Sequence, residues 1–94
     1  MPVYLVDYDL NSPGQNYSGL IKAIETKFTD HFKIMKSSWF VYDAGKTAQD
    51  VFDALQPYID QSDNIFVNLV GFAGHSGFLR KDAISWLNSK LPLA

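Results

Sequence analysis

Apolar and polar positions follow two different periods along this chain, and the switches between them mark its elements. Val3-Tyr4-Leu5-Val6-Asp7-Tyr8-Asp9-Leu10 is a run rich in β-branched and aromatic residues, which predicts a strand over residues 3 to 10. Asn11-Ser12-Pro13-Gly14-Gln15-Asn16 predicts a turn, because proline presets one backbone angle and glycine allows positive φ. Tyr17, Leu20, Ile21, Ile24 and Phe28 then fall on one helical stripe, with Asn16 or Ser18 available as the cap. His31 to Lys36 alternates polar with apolar, and Trp39-Phe40-Val41-Tyr42 is aromatic and β-branched. Two short strands are expected there, joined around Ser37-Ser38.

A second helical stripe runs through Val51, Phe52, Leu55, Tyr58 and Ile59. Thr47 is its cap, with Asp50 three residues on, a relative of the capping box. Pro57 lacks a donor and ends or kinks that helix early. Asn64 to Val70 is nearly continuous in apolar character and predicts a further strand, after which Gly71, Gly74 and Gly77 punctuate a loop. A last helix is expected over residues 81 to 91, with Asp82 complementing its dipole and Ala83, Ile84, Trp86, Leu87 and Leu91 as its apolar surface.

The predicted order is β-α-β-β-α-β with an extra C-terminal helix. That is the split β-α-β arrangement of an α+β, ferredoxin-like fold, in which two helices cover one face of an antiparallel sheet. In the first strand Tyr4, Val6 and Tyr8 share one face and Val3 and Leu5 the other, so both faces are apolar. The face away from the two helices therefore needs a cover, either the terminal helix or a second copy of the chain. A homodimer through that face is expected.

Composition narrows the class. Ninety-four residues suit one domain, 1–94, and 47% hydrophobic content is enough for a packed core. There is no cysteine, hence no disulfide framework and no thiolate metal site. No stretch is apolar enough to cross a membrane, and the N-terminal residues lack the pattern of a signal peptide, so a cytoplasmic protein is expected. Eight basic against ten acidic residues leave a net charge of -2, and the basic residues are scattered. Tight, sequence-independent nucleic-acid binding by a monomer needs a basic surplus, which this chain does not have.

Asp7 and Asp9 are the candidate chemistry. Two residues apart on a strand, their carboxylates point to the same face. Carboxylates are poor strand formers and costly to bury unpaired. Two explanations stand: a metal site, or a strand that ends there with Asp9 opening an Asx-type turn. A metal site of carboxylates suits Mg²⁺ or Mn²⁺, and in a two-fold dimer the pair could meet its own copy. Such an ion activates water for phosphodiester cleavage.

Val6-Asp7-Tyr8-Asp9-Leu10 resembles the first strand of the small CRISPR-associated ferredoxin-fold proteins that partner the spacer integrase, and of the related VapD-type toxins. In those families a hydrophobic strand ends in Tyr-Asp-Ile or Tyr-Asp-Leu. The resemblance implies that Asp9 is the metal ligand, with Asp7 assisting or orienting. Ser37-Ser38-Trp39-Phe40 is similar to the family's Ser-Val-Phe or Ser-Val-Trp step into the third strand, which gives Ser38, or Ser37 one position earlier, a place in the site. The likeness in element order spans about residues 3 to 70. One departure stands out. The CRISPR family carries another acid and a pair of basic residues after the Asp, whereas this chain has no positive charge before Lys22.

Other polar residues carry less. His75, on the glycine-rich loop, has the acid–base range of a histidine, but the loop matches neither a P-loop nor a dinucleotide fingerprint. His31 sits at a strand start. Trp39, Phe40, Tyr42, Phe66, Phe72 and Phe78 are able to stack on bases, although core packing explains them as well and the basic surround of an RNA reader is thin. Two functions follow: a metal-dependent nuclease or degenerate relative of the CRISPR-associated and VapD type, or a non-enzymatic dimeric scaffold or binding module on the same fold.

Overall fold

A computed structural model describes residues 2–9, 17–60, 62–71 and 76–91. The predicted elements are all present: β1 (Val3–Asp9), α1 (Ser18–Thr26), β2 (Asp30–Met35), β3 (Ser38–Tyr42), α2 (Ala48–Leu55), β4 (Asn64–Leu69) and α3 (Lys81–Lys90). Leu10, the turn over residues 11–16, Phe72 and His75 lie outside the described residues. The strands form one antiparallel sheet in the order β2-β3-β1-β4. β1 and β2 thus run in the same direction with β3 between them, and β3 and β4 run together with β1 between. The architecture is α+β.

Local chemistry sets the boundaries. Thr47 and Asp50 form a full capping box, each side chain accepting a backbone N–H of the other residue, at 3.1 and 2.9 Å. The bond from the Thr47 backbone N–H, with the neighbouring Thr47 hydroxyl, holds the carboxyl of Asp50 below its ordinary range. α2 stops at Leu55, and Pro57 sits in a 3₁₀ turn over Gln56–Tyr58. Ser18 is not a cap: the helix begins on it, with Tyr17 in the capping position.

The pleat sorts β1 between two cores. Tyr4, Val6 and Tyr8 join Trp39 and Val41 beneath α1 and α2, where Leu20, Ile24, Val51 and Leu55 are almost wholly buried. Val3 goes to the opposite face, with Ile34, Phe40 and Val70, under Ala83, Leu87 and Leu91 of α3. The terminal helix is therefore the cover that the apolar second face requires. It does not cover everything. Phe66 and Leu69, on edge strand β4, remain 66% and 60% exposed.

Polar contacts tie α3 down at both ends. Lys90 pairs with Asp30 at 3.0 Å, and the Trp86 indole donates to the same carboxylate at 3.2 Å. Burial works to raise the pKa of Asp30, but the hydrogen bonds from Lys90, the His31 backbone and Trp86, with the Lys90 charge, hold it below the ordinary carboxylate range. At the other end Arg80 donates to the carbonyls of Ile34 and Lys33, at 3.1 and 2.8 Å. Those carbonyls lie where the β2–β3 register shifts, between Lys33 and Met35. A bulge leaves ladder groups unpaired, and the guanidinium satisfies them. Among the described residues, no helix is long and apolar enough to cross a membrane.

Candidate active site

β1 carries both acids to one end of the sheet. Asp7 stands opposite Ser38 of β3 and Phe66 of β4; Asp9 stands opposite Asn64. Directly opposed residues share a face, so Asp7, Asp9, Ser38, Phe66 and Asn64 all lie on the α3 side. The Ser38 hydroxyl donates a hydrogen bond to Asp7 Oδ1 across 31 positions of sequence. Ser38 is buried, Asp7 half-buried and Asp9 exposed. Three residues singled out in the sequence therefore meet at one place, and Ser38, rather than Ser37, is the one bonded to an acid.

The two acids are unequal. Asp7 is oriented by Ser38. Asp9 has no hydrogen bond or ion pair among the described residues, which leaves its carboxylate open at the rim. A hollow of about 400 Å³ lies between them, lined by Asp7, Tyr8, Asp9, Ser37, Asn64, Ile65 and Phe66. Asn64 and Phe66 are absent from the sequence-derived site. Asn64 gave no signal beyond a polar residue at a strand start, because its position depends on the β1–β4 register.

The donor set suits a hard cation in kind: two carboxylates, an amide and a hydroxyl, all oxygen ligands. It is thin in number. Among the described residues no three His, Asp or Glu side chains group closely enough to hold a metal ion. One chain would supply Asp9, and Asp7 through its second oxygen, leaving further positions to water, a phosphate or another copy.

Three of the basic residues around the sheet are committed elsewhere. Arg80 serves the bulge and pairs with Asp82, Lys90 pairs with Asp30, and Lys33 lies over the Trp39 ring. The aromatics are sorted too: Trp39 and Phe40 are buried in opposite cores, and Phe40 stacks on Trp86. They are core, as packing alone predicts, and Phe66 is the exposed ring nearest the acids. Compared with known proteins, the chain matches no family model, no curated protein and no solved structure.

Proposed function

We propose that this chain is a ferredoxin-like protein of the CRISPR-associated and VapD type that works as a metal-dependent phosphodiesterase on nucleic acid. The observation that carries this reading is the meeting of Asp7, Asp9 and Ser38 at the open end of β1. Ser38 fixes one rotamer of Asp7, and Asp9 offers its carboxylate beside it. A Mg²⁺ or Mn²⁺ ion bound there would polarise a phosphate and activate water. Ser38 holds Asp7 in place by its hydroxyl proton, Asn64 offers an amide for orientation, and Phe66 offers an apolar surface next to the acids.

The test is cleavage of labelled RNA and DNA by the purified protein, with Mg²⁺, Mn²⁺ or EDTA. Cleavage is expected only with metal and is expected to vanish in Asp9→Ala. That variant should fold normally, since an exposed side chain without a partner contributes within about 0.5 kcal/mol. Metal-dependent cleavage that persists in Asp9→Ala removes the assignment.

A non-enzymatic dimeric scaffold is the second reading. Phe66 and Leu69 stand exposed on an edge strand, and an apolar hollow of about 350 Å³ opens beside α3, lined in part by Leu5, Met35 and Phe78. Surfaces of that kind favour a partner. Light scattering at micromolar concentration tests it: a monomer removes the dimer, and a dimer without cleavage under any metal favours the scaffold.

A further inference from the structure

The site has a second side. Beyond the tip of β1, Tyr8, Asp9, Tyr17, Ile21, Lys36 and Ser37 line an open hollow of about 260 Å³ between the start of α1 and the β2–β3 turn. We infer that this hollow is a phosphate subsite of the candidate active site, with Lys36 as its cation and the Tyr8 and Ser37 hydroxyls as its donors. The inference rests on the hydrolytic reading above and supplies the positive charge that this sequence lacks before Lys22.

The donors point to an anion. Tyr8 is 8% exposed, and its oxygen accepts from the Trp39 indole at 3.2 Å. Among the described residues its own proton has no acceptor, so it is available to a group seated in the hollow. The Ser37 hydroxyl and the Lys36 ammonium likewise have no hydrogen-bond or ion-pair partner among the described residues. Besides Tyr17, the hollow is thus lined by three side chains with a donor to offer, one of them charged, and by one carboxylate, that of Asp9. A zwitterion or a cation would need more acceptors.

The frame is held in place. The Tyr8 N–H donates to the Ser37 carbonyl at 3.0 Å, extending the β1–β3 ladder into the turn that carries Lys36. α1 begins next to the hollow, and its positive dipole end adds to the attraction for an anion. With Asp9 on the shared rim, a phosphate seated here would lie beside that carboxylate, and the Lys36 charge offsets the repulsion between them.

The test is amide NMR of the labelled protein in EDTA, titrated with inorganic phosphate, uridine 5′-monophosphate and, as the phosphate-free control, uridine. Shifts are expected at Tyr8, Lys36 and Ser37 with both phosphates and not with uridine. Lys36→Met should weaken the affinity about tenfold and Tyr8→Phe about threefold, as loss of one charge-assisted and one neutral hydrogen bond implies. Lys36 is exposed in a turn, so its variant reads binding even where Tyr8→Phe folds poorly. Shifts confined to other surfaces, or affinities that neither substitution changes, overturn the subsite. Phosphate bound at Lys36 by a protein that cleaves nothing keeps the subsite and removes hydrolysis. Cleavage with an unaltered KM in Lys36→Met keeps hydrolysis and removes the subsite.

Discussion

Replacing Ser38 by alanine tests the bond on which the site is built. The Ser38 hydroxyl donates to Asp7 across the β1–β3 register, with Ser38 buried and Asp7 half-buried. A hydrogen bond to a charged group contributes about 1.5–3 kcal/mol when desolvated. Partial exposure of Asp7 screens the interaction, so about 1–2 kcal/mol is expected here. For a chain of 94 residues that loss lowers Tm by about 4–16 °C. A drop in Ser38→Ala alone would not identify the cause, because a buried side chain has been truncated. The assay is therefore a double-mutant cycle by urea unfolding, with Asp7→Ala, Ser38→Ala and the pair. If the bond holds Asp7, the double variant is less destabilised than the sum by about 1–2 kcal/mol. Additivity within about 0.5 kcal/mol refutes the pairing, and with it the reason for assigning Ser38 to the site.

Two other outcomes follow from the packing. Leu87→Ala, in the core between α3 and the sheet, should cost about 2–5 kcal/mol in urea unfolding, and Ile84→Ala, 38% exposed on the same helix, less than about 1; equal costs would mean that α3 does not cover this face. Asp30 has a folded-state pKa below its unfolded one, so its contribution is complete above the unfolded value and is lost as pH falls through the folded value. Acid unfolding should therefore steepen below about pH 4, and Lys90→Met should flatten that slope by removing the charge that sustains the shift.

Most of the fold could be read from local pattern because each element carries its own period. The capping box at Thr47 and the stop at Pro57 are chemistry confined to a few neighbouring residues, and both occur as expected. Strand order is different. The apolar run in β4 predicts a strand but not its place: β4 lies at the sheet edge with Phe66 exposed, because no residue within the run encodes which strand it neighbours. The site divides in the same way. Asp7 and Asp9 share a face by the pleat alone, a local property. That Asp7 takes Ser38 depends on where the β2–β3 hairpin turns and where its register shifts, so the sequence left Ser37 and Ser38 open. Lys36 enters the hollow through the same turn.

The position of the acids follows from the two cores. β1 is central, and from Val3 to Val6 its side chains are taken up alternately by the α1–α2 core and by the α3 core. Carboxylates along that stretch would be desolvated with no partner at hand, at a cost that a small domain does not bear. Only at the tip, beyond the reach of α3, is there room for charge. Asp7 stands at the boundary and needs a bond, which Ser38 supplies; Asp9 stands past it and needs none. Covering β1 on both faces thus leaves its end as the one place on the strand where ionised groups can stay hydrated, close together and open to a ligand.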